Sequence, residues 1–176
     1  MAKPVLYIFV GYPGSGKTTV AKIIAEMSSA EHLWADHERH KMFNQPTHAV
    51  SESRRLYAHL NQVTDRLLSQ GLSVIFDTNF NYYSDRQHLR QIAKKRQAKT
   101  ILIWLTTPLA IARARATEHS HNKETRIWGN MPPEVFDRMS SQLELPKRYE
   151  AAIQIDGTNI NRENLKQQLA HLLKTD

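Results

Sequence analysis

The sequence predicts an α/β fold, with helices on both faces of a five-stranded parallel sheet in three layers. Two observations carry this. Short β-branched or aromatic apolar runs alternate with amphipathic stretches of helical period along nearly the whole chain, the pattern of a parallel sheet with crossover helices. The first of these runs passes straight into a glycine-rich loop and then a helical repeat. The 176 residues show no internal repeat, low-complexity tract or linker, which fits one domain spanning 1–176.

The first strand is Val5-Leu6-Tyr7-Ile8-Phe9-Val10, continuous enough in apolar residues to be buried on both faces. A helix over 19–28 follows, with Val20, Ile23, Ile24 and Met27 on one face. His32 to Asp36 reads as a short second strand ending in a carboxylate. Leu56, Leu60, Val63, Leu67 and Leu68 repeat at helical spacing over 52–70, and Gly71 supplies the stop. Leu72 to Asp77 is a third strand, again ending in Asp. A helix over about 84–97, a fourth strand from Thr100 to Leu105 and a helix over 109–117 come next. Residues 118–131 are polar and aperiodic, the pattern of a mobile loop, so a lid region is expected over about 109–131. Pro132-Pro133-Glu134 opens another helix, proline being tolerated in a first turn, with Val135, Met139 and Leu143 as its buried face. Ala151 to Ile155 is a fifth strand, and the last helix buries Leu165, Leu169, Leu172 and Leu173.

Composition narrows the function classes. Forty per cent apolar and 23% charged residues are ordinary for a globular protein. With no cysteine there is no disulfide, thiolate metal site or cysteine nucleophile. No run of about 18 apolar residues suggests a membrane span. The N-terminus leads directly into the first strand without the pattern of a signal peptide. A cytoplasmic enzyme without membrane partners is the expectation, and nothing in the chain specifies an oligomer. The net charge of +7 favours polyanionic ligands, nucleic acid and nucleotide phosphates among them. Its densest stretch, Arg86 to Lys99, has the spacing of a solvated helix face.

The loop after the first strand is Gly11-Tyr12-Pro13-Gly14-Ser15-Gly16-Lys17-Thr18, the pattern G-x-x-x-x-G-K-[ST]. Strand, loop and helix in that order give the pattern a mechanism. Glycines let successive N–H groups turn inward, and the helix N-terminus adds partial positive charge. Residues 11–18, with Thr19, are therefore candidates to hold a nucleoside triphosphate, expected to be ATP. Lys17 would reach the β- and γ-phosphates and the Thr18 hydroxyl would hold Mg2+. A glycine turn that merely joins strand to helix is the plainer reading, and the matched flanks argue against it.

Phosphoryl transfer depends on positioning and charge neutralisation. Asp36, at the carboxyl end of the second strand, is placed to take a proton from an acceptor hydroxyl, or else to cap the helix after it. Arg39, three residues on, suits a phosphate or carboxylate of the substrate. Asp77, with Thr78 and Asn79, ends the strand beside the glycine loop, where a carboxylate supports Mg2+ directly or through water. An Asp-Thr-Asn turn is an equal reading of the same residues. Asn79 and Arg86 are further candidates for the acceptor side. Arg113, Arg115 and Arg126 flank or occupy the polar loop, where arginines can close over a γ-phosphate and exclude water. The nine histidines, His119-x-His121 included, have no carboxylate or cysteine spacing that completes a metal site. Trp34 and Trp104 read as core, and Trp128 as a residue that could stack on a base.

With these residues in place the chain resembles small, adenylate-kinase-like P-loop kinases. More narrowly it is similar to those grouped around phage polynucleotide 5′-hydroxyl kinase, chloramphenicol phosphotransferase and zeta-toxin-like proteins. The resemblance rests on residues 11–18, on Asp36-His37-Glu38-Arg39, on Val74-Ile75-Phe76-Asp77-Thr78-Asn79-Phe80 and on Ala112-Arg113-Ala114-Arg115. It implies the sheet order 2-3-1-4-5. It also implies Asp36 as general base, Arg39 on the acceptor's phosphate and Arg113 as a lid arginine on ATP, in a kinase acting on a hydroxyl such as a polynucleotide or nucleotide 5′-hydroxyl. Ser141-Gln142-Leu143-Glu144-Leu145-Pro146 looks instead like a shortened S-Q-x-x-x-L-E-x-P segment of gluconate kinases, though their R-x-G-H-F lid is absent. A small-molecule kinase is therefore the alternative. An ATPase switch is a third reading, for which no water-positioning Gln or Glu stands out.

Overall fold

The computed structural model describes residues 3–79, 82–118 and 129–173. Five parallel strands form one sheet in the order β2-β3-β1-β4-β5, as the resemblance implies. They are β1 (Val5–Val10), β2 (Glu31–Trp34), β3 (Val74–Asp77), β4 (Lys99–Leu105) and β5 (Ile153–Ile155). The helices are α1 (Lys17–Met27), α2 (Ala35–Met42), α3 (Val50–Ser69), α4 (Tyr83–Lys95), α5 (Leu109–Thr117), α6 (Pro133–Ser141) and α7 (Arg162–Leu173).

β1 lies at the centre because its residues are apolar in succession and can face helices on both sides. Tyr7 and Phe9 meet Val20, Ile24, Leu165 and Leu169 of α1 and α7 on one face. Leu6, Ile8 and Val10 meet Leu56, Leu60, Leu89 and Ala93 of α3 and α4 on the other. α3 ends where Gly71, at φ 78°, turns the chain back and the Gly71 and Leu72 N–H groups bond the Leu68 and Leu67 carbonyls. The glycine stop read from the sequence is the helix's actual end.

Two elements differ from expectation. The second strand closes at Trp34, opposite Asp77 at the end of its neighbour β3. Among the described residues the pairing ends there, the chain turns into α2 at Ala35, and Asp36 lies in the first turn of a helix rather than at a strand end. Trp34 occupies the N-cap position and no side chain caps this helix, so capping is not the role of Asp36. In α6 the buried residue is Phe136, packed with Ala112, Ala116, Tyr12 and Met131. Val135 and Met139 are half-buried and line a cavity instead, because α6 packs on α5 and not on the sheet. Residues 119–128 of the expected loop, with Arg126, Trp128, His119 and His121, lie outside the described residues, as do Phe80 and the side chains of Leu172 and Leu173.

Candidate active site

A cavity of about 1060 Å3 opens at the carboxyl ends of β1, β2 and β3, the edge where parallel sheets gather ligands. One wall is the glycine loop. Pro13, Gly14, Gly16, Lys17, Thr18 and Thr19 line it. Gly11, Tyr12 and Ser15 lie behind them. The loop is seated by close packing. Gly14 has φ 77°, and a Cβ there would come 2.3 Å from the Ala112 carbonyl oxygen of α5. On its other side Gly157 presses on Ser15, where a Cβ would meet the Ser15 carbonyl oxygen at 2.2 Å. That same oxygen accepts a bond from the Thr107 hydroxyl at 2.8 Å.

Lys17 is buried, and its ammonium donates to the Gly11 and Tyr12 carbonyls, both at 2.8 Å. Burial drives its pKa down to about 8, and nearby Asp77 and Asp36 oppose that fall. Asp36 is raised above the ordinary carboxylate range, first by burial and then by the charge of Asp77. His48, Arg39 and Lys17 counter part of the rise. Lys17 and the two carboxylates thus act on one another across the cavity. Asp77 is buried, and its Oδ2 is 3.0 Å from His32 Nε2, so β2 fixes one edge of that carboxylate.

The residues present suit a magnesium nucleoside triphosphate. The Ser15 hydroxyl is buried with no hydrogen-bond partner, and the Lys17 ammonium is held at the loop by the Gly11 and Tyr12 carbonyls. Thr18, Asp36 and Asp77 all line the cavity and offer oxygen donors of the kind a hard cation takes. Among the described residues no cluster of three or more His, Asp or Glu side chains forms a separate metal site.

The sequence-predicted acceptor residues divide. Asp36, Arg39, Asp77 and Asn79 line the cavity. Arg39, however, is buried and paired with Glu52, and its other guanidinium nitrogen donates to the Ser53 hydroxyl at 3.2 Å. Glu52 also accepts from the Thr47 N–H at 2.7 Å, the Thr47 hydroxyl at 3.0 Å and the His48 N–H at 3.2 Å. Arg86 is a correction: it is fully buried away from the cavity, bidentate on Glu150 at 2.8 and 2.9 Å, because α4 packs on the segment before β5. Arg113 does not line the cavity either. It pairs on the exposed side of α5 with Asp137 of α6, its Nε 3.1 Å from Asp137 Oδ1. Two residues along, Arg115 takes the inward side and donates to the Gly157 and Thr158 carbonyls at 2.5 and 2.7 Å.

Several lining residues were not singled out from the sequence: Tyr57, whose hydroxyl lies 3.1 Å from the Thr78 hydroxyl, together with Thr47, Ser53 and Arg138. Tyr57 carried a signal, since it falls beside the apolar repeat of α3. Arg138 did as well, at the i+3 position from Val135.

The AAA domain family model matches residues 6–146, from β1 to the turn after α6. The chain belongs to the AAA domain family. Several solved structures share its fold at low sequence identity. The APS kinase CysC of Mycobacterium tuberculosis, in complex with AMPPNP and APS, is 17% identical over 99% of this chain and 100% of its own, with a TM-score of 0.69. A gluconokinase from Sinorhizobium meliloti 1021 is 20% identical over 97% of this chain and 91% of its own, at 0.66. A chain of the Pnkp1/Rnl/Hen1 RNA repair complex is 21% identical over 81% of this chain but only 45% of its own, at 0.66. Comparison with curated protein sequences found no match. The chain has the P-loop kinase fold. Among the described residues no helix is long and apolar enough to cross a membrane.

Proposed function

We propose that this AAA domain protein is an ATP-dependent kinase that transfers the γ-phosphoryl group to a hydroxyl. The observation that carries the reading is the juxtaposition of Lys17 and Asp36 in one cavity, with Asp36 held above its ordinary pKa beside the phosphate loop. A raised carboxylate is a better proton acceptor than an ordinary one, as general-base work on an alcohol requires. Residues 13–19 would hold the triphosphate, the loop N–H groups and Lys17 facing its charge. Thr18 and Asp77 would hold Mg2+, which when bound neutralises charge on the phosphates. Asp36 would then orient the acceptor hydroxyl and take its proton.

The acceptor is a polynucleotide or nucleotide 5′-hydroxyl or the hydroxyl of a small metabolite; the neighbouring folds include a chain of an RNA repair complex and a gluconokinase. The test is transfer of the γ-phosphate from Mg·ATP to 5′-hydroxyl oligonucleotides, nucleosides and sugar acids, with Asp36→Asn as control. Transfer that disappears in the variant while ATP still binds supports the reading. ATP hydrolysis that no acceptor stimulates and that Asp36→Asn leaves intact would show an ATPase instead.

A further inference from the structure

The cations of the cavity are mostly committed to the protein itself. Lys17 sits against the Gly11 and Tyr12 carbonyls in the field of Asp77 and Asp36. The charge of Arg39 is met by Glu52, and its remaining donor by Ser53. Arg115 spends its fork on the Gly157 and Thr158 carbonyls. Arg138 is different. It lines the same cavity from α6, and its guanidinium has no hydrogen-bond or ion-pair partner among the described residues.

Its side chain is exposed to solvent at the cavity, and the helix that carries it is positioned by packing. Phe136 buries one face of α6 against Ala112 and Ala116 of α5, and α5 is pressed on the glycine loop at Gly14. The Arg113–Asp137 pair ties the two helices on the outside. α6 is therefore registered to the phosphate loop, and the face left for the cavity carries Val135, Arg138 and Met139 at i, i+3 and i+4. A guanidinium beside an apolar pair suits an organic ligand with one anionic group, since the fork binds two oxygens while the apolar side chains cover carbon. The triphosphate already has the loop N–H groups and Lys17.

We propose that Arg138 receives an anionic group of the acceptor, so that the substrate is a hydroxyl compound bearing a phosphate or carboxylate. This rests on the kinase reading and deepens it. It moves the acceptor's anion from Arg39, whose charge is internally compensated, to α6. The anion has two sources, the phosphodiester or 3′-phosphate of a 5′-hydroxyl nucleotide and the carboxylate of a sugar acid.

The test is calorimetric binding to the full chain in the presence of AMPPNP and Mg2+. Probes come in matched pairs: adenosine 3′-monophosphate against adenosine, and gluconate against glucose. The affinity of AMPPNP alone is measured for every variant. The expected result is that one anionic probe binds at least about tenfold more tightly than its neutral partner, which also names the source. Arg138→Gln should erase that preference, Arg138→Lys should keep part of it, and AMPPNP affinity should change less than about twofold in both. Three results would overturn the proposal: an anion preference that survives Arg138→Gln, a loss of AMPPNP affinity in its place, or no binding of any anionic probe by a wild type that binds AMPPNP. Arg138-dependent binding without phosphoryl transfer to the same compound would sink the kinase reading alone.

Discussion

Arg39 and Glu52 form a buried ion pair that joins α2 to the first turn of α3 and carries the intervening loop with it. Burial by itself would raise the Glu52 carboxyl, but the Thr47 N–H, Arg39, the Thr47 hydroxyl and the His48 N–H together hold it down at about 2. A carboxylate whose folded pKa lies below its ordinary 4.5 lends stability above that value, and the contribution disappears as pH falls toward 2. Glu52→Gln should therefore be less stable than wild type at pH 7, and the difference should close between pH 4.5 and 2. Urea unfolding at pH 7, 4.5 and 2.5 measures it; a difference that does not change with pH would mean that the pair is not the source.

Asp36 should control transfer and leave nucleotide binding alone. Asp36→Asn keeps the shape and removes the base, so kcat should fall by about 10²–10⁴-fold with ATP affinity nearly unchanged. In wild type, kcat/KM should rise with pH as Asp36 ionises, through a midpoint above the ordinary 3.8 of a carboxylate, because burial and Asp77 disfavour its charge. A midpoint at or below 3.8 would place the base elsewhere.

Arg113→Ala should change kcat and KM for ATP by less than about twofold, since its partner is Asp137 on an exposed surface where ion pairs contribute little. Arg115→Ala should raise the KM for ATP by more, because it frees the Gly157 and Thr158 carbonyls and unseats the segment that presses on Ser15. Steady-state kinetics of the two variants side by side decides. The reverse order would restore Arg113 to the nucleotide.

The contrast between those two arginines shows what the sequence could and could not convey. Val5 to Val10, the 11–18 loop and Gly71 act through the local backbone and through periodicity, so strand, phosphate loop and helix end were legible directly. Asp77 was placed by its position at the end of β3, whereas Asp36 reaches the same cavity from the first turn of α2, beyond the end of the strand on which the sequence placed it. Which way an arginine points is a tertiary matter. Arg113 and Arg115 sit on the same short helix, and only the packing of α6 on α5 by Phe136 turns one outward and the other in. Arg39 and Arg86 carry no mark in the sequence of the glutamates that claim them, 13 and 64 residues away. Arg138 stood at helical spacing from Val135, but its helix had to be placed before that face had meaning.

Glu150 should be a strong determinant of stability with little bearing on the site. Its side chain and that of Arg86 are both fully buried, and Arg90 adds a second contact at 2.9 Å. Burial would raise the carboxyl, but Arg86, the Lys147 N–H and Arg90 bring it down to about 2. Removing one member of such a pair leaves an unmet charge indoors, which costs about 3–5 kcal/mol. Glu150→Gln should show that loss in chemical denaturation at pH 7 and lose most of the difference by pH 2.

Lys17 makes the ATP affinity sensitive to alkali. With its pKa lowered to about 8 in the ligand-free protein, the ammonium is partly discharged just above neutrality. A polyanion binds the protonated form, so binding above that pH takes up a proton. The Kd for ATP should hold steady below pH 8 and then rise, approaching about tenfold per pH unit where only the ammonium form binds. Lys17→Met should bind ATP more weakly throughout and lose the alkaline rise. Fluorescence titration of a labelled ATP analogue from pH 6.5 to 10 reads both, and a wild-type profile flat to pH 10 would show that Lys17 keeps its ordinary pKa or does not meet the phosphates.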